Sequence, residues 1–168
     1  GESGLIVVDT LLTAEAAQAA MNLYFAHRPR RPVVAVIFTH SHADHFGRVR
    51  GILTEADLAA GVRVIAPEGF TQEAVSENLL AGNAMARRAA FQFGSTLAPG
   101  PAGQVGVGIG AALSKGTIGL IEPTEFVTGD QQALTIDGID FQFLNTPGTE
   151  APAEFLFYLP KFRALCTA

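Results

Sequence analysis

Thr39-His40-Ser41-His42-Ala43-Asp44-His45-Phe46-Gly47 follows directly on the apolar run Val33-Val34-Ala35-Val36-Ile37-Phe38. Three of the four histidines of this 168-residue chain therefore fall in one hexapeptide, where a buried strand ends. A run so rich in β-branched residues reads as a strand covered on both faces. In its extended exit, residues i and i+2 share a face, so His40 and His42 are placed to bind one metal. A tight turn at Ala43 sends Asp44 and His45 to the other side, to meet a second. Ser41, Ala43 and Gly47 are small and let backbone and ligands crowd together. The competing reading, a solvated loop or a set of capping side chains, gathers three imidazoles with no cation to share. A mononuclear site stays open beside the binuclear one.

Working outward, Leu5–Val8 is a short apolar run that opens into a loop at Asp9-Thr10. Thr13 reads as the N-cap of a helix from Ala14 to His27, with Ala17, Ala20/Met21 and Tyr24 at helical spacing and Arg28-Pro29 closing it. His27 fits the negative end of that helix. With Val33–Phe38 this makes β-α-β within the first forty residues. The pattern then predicts a helix over Arg48–Ala60, a strand over Val62–Ala66 and a mostly helical stretch over Thr71–Phe93. Residues 94–119 are rich in glycine and form a long loop which, with Phe91 and Phe93, is a candidate lid or apolar wall. Leu134–Phe143 alternates apolar and polar around Asp137-Gly138, a strong hairpin signal. Glu154–Leu159 and Arg163–Cys166 read as two more strands joined at Pro160-Lys161.

Composition narrows the class. With 48% hydrophobic and 16% charged residues the chain is globular, and a net charge of −5 argues against a nucleic-acid partner. No apolar run approaches the roughly 20 residues needed to span a bilayer. The lone Cys166, in an apolar stretch, reads as a buried structural thiol; the compartment stays undecided. Gly106-Val107-Gly108-Ile109-Gly110-Ala111 approximates a dinucleotide fingerprint, but no adequate strand precedes it and no acidic residue stands where a ribose partner belongs. Arg87-Arg88 reads as a solvated helix face in preference to a sulfate site. Asp9 either orients a ligand histidine or caps the following helix. Glu154 is read as a strand-starting surface residue in preference to a carboxylate orienting a ligand. The chain opens on Gly1-Glu2-Ser3-Gly4 and stops just after a strand, and we expect an internal piece of a longer protein.

The spacing His-x-His-x-Asp-His resembles the signature of the metallo-β-lactamase superfamily. Thr39–Gly47, Glu77-Asn78 through Ala81-Gly82-Asn83-Ala84-Met85-Ala86-Arg87-Arg88, Gly116–Leu120 and Thr146-Pro-Gly-Thr-Glu-Ala-Pro-Ala-Glu154 together look like the alkyl sulfatase (dodecyl sulfate hydrolase) family. The resemblance runs from Gly1 to Ala168 and departs at Arg48, where a second glycine is common. It implies an α/β chain with the αββα sandwich of the metallo-β-lactamase fold, truncated at both ends, so that residues 1–168 form a partial catalytic domain. It assigns His40, His42 and Glu150 to one metal and Asp44 and His45 to a second, with two Zn2+ ions per complete domain. The remaining bridging acid and last histidine would lie beyond Ala168. Asp44 would also orient a metal-activated water that hydrolyses an alkyl sulfate ester to an alcohol and inorganic sulfate. The parent protein would be a homodimer. Another hydrolase of the same superfamily, or a metal-binding but catalytically incomplete chain, is the alternative.

Overall fold

The computed structural model describes residues 1–108 and 110–168. Ile109, in the glycine-rich stretch weighed above as a dinucleotide fingerprint, lies outside the described residues. The chain begins with β1 (Leu5–Val8), α1 (Ala14–His27) and β2 (Val33–Ile37), followed by the one-turn helix α2 (Ala43–Phe46). A 3-10 turn at Val49–Gly51, α3 (Glu55–Ala59), β3 (Arg63–Pro67) and α4 (Phe70–Val75) come next. A π-helical turn, Ser76–Leu80, separates α4 from α5 (Gly82–Phe93). Then come β4 (Glu125–Val127), β5 (Gln131–Ile136), β6 (Ile139–Asn145), β7 (Phe155–Leu159) and β8 (Ala164–Cys166).

The strands form two sheets, a parallel one in the order β1-β2-β3-β4 and an antiparallel one in the order β5-β6-β7-β8. Alternation along β2 divides the core. Ala35 and Ile37 face the second sheet and pack with Ile65, Val127, Phe141, Phe143, Phe155 and Phe157. Val36 and Phe38 face the helices and pack with Phe46, Val49, Leu53, Phe70 and Ala74. Both faces of the parallel sheet are thus covered, which is why its strands read as continuous apolar runs. The outer face of the antiparallel sheet carries Leu144, Leu156 and Leu165, and among the described residues no helix packs on it. Three layers of the expected sandwich are in place: helices, parallel sheet, antiparallel sheet.

The hairpin falls where Asp137-Gly138 puts it. Ile136 pairs with Ile139, and the two turn residues take φ of 46° and 76°, as a two-residue turn between twisted strands requires. The helix expected over Arg48–Ala60 is broken instead. Gly51 passes so close to the Ala14 backbone that a β-carbon there would meet its carbonyl. Thr54 then starts α3 afresh as a capping box, its N–H donating to Asp57 Oδ2 at 2.7 Å. On α1 only Ala17 is buried, and Tyr24 remains 43% exposed against the expected apolar stripe. Cys166 is half-buried, not fully buried as expected. Past Gly94 the long loop is tied down near its end: Gly119 N donates to the Gly47 carbonyl, Ala14 N to the Thr117 carbonyl, and Arg48 to the Ser114 hydroxyl. No helix among the described residues is long and apolar enough to cross a membrane.

Candidate metal centre

β2 delivers the histidines. Phe38 N donates to the Ile65 carbonyl, extending the pairing with β3, and the chain then leaves the sheet at Thr39-His40. His40 forms an isolated antiparallel bridge with Glu154, so the end of the parallel sheet is stitched to the strand entering β7. His42 caps α2, and the single turn of that helix carries Asp44 and His45. The rings crowd: His40 lies 4.8 Å from His42 and 4.0 Å from His45, centroid to centroid.

A chain of hydrogen bonds sets the tautomers. Asp9, at the end of β1, accepts from Thr39 N (2.9 Å) and Thr39 Oγ1 (2.8 Å), and His45 Nδ1 donates to its Oδ2 (2.8 Å). An ionised carboxylate only accepts, so the single Thr39 hydroxyl proton is spent on Asp9. Thr39 Oγ1 must then accept from His40 Nδ1, 2.9 Å away. In the neutral rings of His40 and His45 the lone pair then lies on Nε2. His40 Nε2 is buried and has no hydrogen-bond partner. A buried lone pair with no donor to meet it is costly unless a cation takes it.

Glu150 comes from the turn between β6 and β7. Its Oε1 lies 3.8 Å from His42 Nδ1, and His40, His42 and Glu150 each offer a ligand atom within 4.8 Å of the others. Asp44 is exposed, with its Oδ2 3.6 Å from His45 Nε2. The structure therefore brings His40, His42 and Glu150 into one group and sets Asp44 and His45 beside it as a pair. Two imidazoles and one carboxylate, with one ring nitrogen buried and unpartnered, are a donor set suited to a divalent cation.

Electrostatics follow from the same packing. Burial, then the neighbouring imidazoles of His45 and His42, hold His40 below the usual histidine range. Burial also works to lower His45, but the hydrogen bond and charge of Asp9, helped by Asp44 and Glu150, raise it overall.

Glu154 is not the surface residue expected from sequence. It is 4% exposed, and its Oε2 accepts from Glu150 N (2.7 Å) and Ala151 N (2.9 Å). It fixes the backbone of the turn that carries Glu150. Asp9 takes the orienting role that was one of its two readings. Thr39 was missed, since a hydroxyl beside a histidine is no signal until the partner strand is in place. Arg87 and Arg88 lie on α5, a helix with no buried residue.

Residues 1–151 match the family model described as the metallo-beta-lactamase superfamily. An alkyl/aryl-sulfatase of Saccharomyces cerevisiae is 52% identical over 98% of this chain and 26% of its own length. A linear primary-alkylsulfatase of Pseudomonas sp. is 48% identical over 100% of this chain and 25% of its own. The solved structure of a stereoselective inverting sec-alkylsulfatase from Pseudomonas sp. superposes with a TM-score of 0.92 at 48% identity, covering 100% of this chain and 27% of that one. A metallo-beta-lactamase family protein from Thermus thermophilus shares the fold, with a TM-score of 0.55 at 24% identity over 96% of this chain and 49% of that one. The chain spans about a quarter of the length of the sulfatases it matches. From the family match, the two packed sheets and the histidine cluster at the end of β2, the chain belongs to the metallo-β-lactamase superfamily.

Proposed function

We propose that this chain, as part of a catalytic domain, serves the hydrolysis of alkyl sulfate esters to an alcohol and inorganic sulfate. The observation that carries the reading is whole-chain identity of 52% and 48% to proteins named as sulfatases. The donor set agrees with it. His40, His42 and Glu150 would hold one cation and Asp44 with His45 a second, and a nitrogen and oxygen donor set of this kind suits Zn2+. Such a bound cation supplies Lewis acidity and lowers the pKa of water at the site. Thr39 and Asp9 engage Nδ1 of His40 and His45, so that in the neutral ring of each the lone pair lies on Nε2, and Glu154 fixes the backbone of the turn that carries Glu150. Asp44, exposed at the lip of the site, orients the attacking water and accepts its proton. If the S–O bond breaks, the water oxygen ends in sulfate and the alkoxide leaves and is protonated to the alcohol; if the C–O bond breaks, the water oxygen ends in the alcohol and sulfate leaves with the ester oxygen. For the whole protein we extend the proposal to a homodimer, on the resemblance to the sulfatase family.

Elemental analysis paired with sulfate release from dodecyl sulfate tests this on the full chain. About two cations per chain with sulfate release supports the reading. Bound cations with turnover of a different ester and none of dodecyl sulfate would transfer the chain to another chemistry of the superfamily. One cation without any hydrolysis would leave a binding chain with an incomplete site.

A further inference from the structure

His42 stands between two carboxylates. Its Nδ1 faces Glu150 Oε1 at 3.8 Å, inside the group of ligand atoms, and its Nε2 faces Glu77 Oε2 at 3.6 Å on the other side. The other two imidazoles each have their outward nitrogen held, His40 Nδ1 by Thr39 and His45 Nδ1 by Asp9. Histidines that ligate metals generally hand their second N–H to a carboxylate or carbonyl, which sets both tautomer and ring orientation. For His42 the group in that place is Glu77. His42 also makes no side-chain hydrogen bond as the N-cap of α2, so capping does not account for its ring position.

The route by which Glu77 arrives is unusual. It sits in the π-helical turn Ser76–Leu80, closed by Ala81 N donating to the Ser76 carbonyl. A π turn inserted in an α-helix rotates the residues after it, and such turns gather at functional positions. None of its residues is buried, so core packing gives no reason for it. Asn78 supports the widened turn, its side-chain amide donating to the Ala74 carbonyl at 2.8 Å. Glu77 itself is 24% exposed at its side chain, and its carboxylate faces the His42 ring.

We propose that Glu77 is a positioning residue for the cation site: its carboxylate accepts a hydrogen bond from Nε2–H of His42 and so presents Nδ1 of that ring to the cation. The inference rests on the metal-site reading above. The 3.6 Å separation is longer than a hydrogen bond, and for Glu77 to act in this way it must shorten when the cation is held. Asp9 and Glu77 would then do the same work for different rings, one from the end of β1 and one from the π turn.

The test is Zn2+ affinity of the full chain by competition with a chromophoric chelator, for the unsubstituted protein, Glu77→Gln and Glu77→Ala. The Co2+ absorption spectrum and the melting temperature of the metal-free forms are read alongside. Glu77→Ala is expected to weaken binding by about 10–100-fold, to alter the Co2+ spectrum, and to leave the metal-free melting temperature and the number of bound ions unchanged. Glu77→Gln, which keeps an acceptor oxygen, is expected to recover part of the loss. Unchanged affinity and spectrum would overturn the proposal. Loss of a whole equivalent of metal would overturn it in favour of Glu77 as a ligand, and a fall in metal-free stability matching the loss in affinity would make its role purely structural. No binding by the unsubstituted chain would overturn the metal-site reading itself.

Discussion

Asp9 and Glu154 do similar work from opposite sides of the site. Asp9 takes a left-handed backbone, φ 53°, which aspartate tolerates better than most residues, and uses both carboxylate oxygens to hold Thr39 and His45. Glu154 is buried and holds two amides of the Glu150 turn. Burial alone would push its carboxyl up, but hydrogen bonding, to which the Ala151 and Glu150 amides contribute, brings it below the usual range. Hydrogen bonds to a buried charge are worth more than neutral ones, so Glu154→Ala is expected to cost about 1.5–3 kcal/mol in urea unfolding. The same variant frees Glu150 and is expected to weaken Zn2+ binding in the chelator competition; unchanged affinity would show that the turn holds Glu150 without Glu154.

At the scale of elements, the segment after the histidine loop is decided by close approach and capping. Gly51 lies against the first turn of α1, where a β-carbon would strike the Ala14 carbonyl. Gly51→Ala is therefore expected to destabilise the fold by about 1–3 kcal/mol, read as a shifted urea midpoint with an unchanged slope. A helix propensity argument favours alanine there, so the sign of the effect separates packing from propensity. The Thr54–Asp57 capping box was present in the sequence as a start signal, and the helical reading of Arg48–Ala60 ran through it. Helix α1 shows a related limit of local pattern. Its spacing was helical and its helix formed, but Tyr24 and Leu23 remain exposed because spacing alone does not supply a partner surface.

For the whole molecule, the two sheets are held by aromatic packing. Phe143 lies 4.8 Å from Phe155 and 5.6 Å from Phe141, centroid to centroid, at the centre of the layer between them. Phe143→Ala is expected to cost about 3–5 kcal/mol, measured by thermal or urea unfolding. A second tie joins the sheets at their edge. Asp137, in the β5–β6 turn, accepts from the Ser3 hydroxyl and from the Ser3 and Gly4 amides just before β1. The Ser3 hydroxyl bond and then the Gly4 amide hold its carboxyl below the usual range. Its folded value is depressed, so its contribution to stability is present above the unfolded value of about 3.9 and fades as pH falls through the folded one. Asp137→Asn is expected to be less stable than the unsubstituted chain at neutral pH, with the difference shrinking below about pH 3.9. A difference independent of pH would assign the effect to shape and not to charge.

The features legible in the chain were those set by neighbours in sequence. Val33–Ile37 forms a strand, Asp137-Gly138 a two-residue turn, and the His40–His45 hexapeptide places three imidazoles together whatever the remainder does. Glu150 was reached through a resemblance, and its position beside His42 depends on a turn clamped by Glu154. The orienting groups lay beyond any local pattern. Thr39 with Asp9 and His42 with Glu77 are contacts between distant parts of the chain, and each exists only once β1, β2 and the π turn have been brought to one end of the parallel sheet. Periodicity and turn chemistry act over a few residues and so can be read from order alone, whereas burial of a carboxylate or the tautomer of a ring depends on which strands pair.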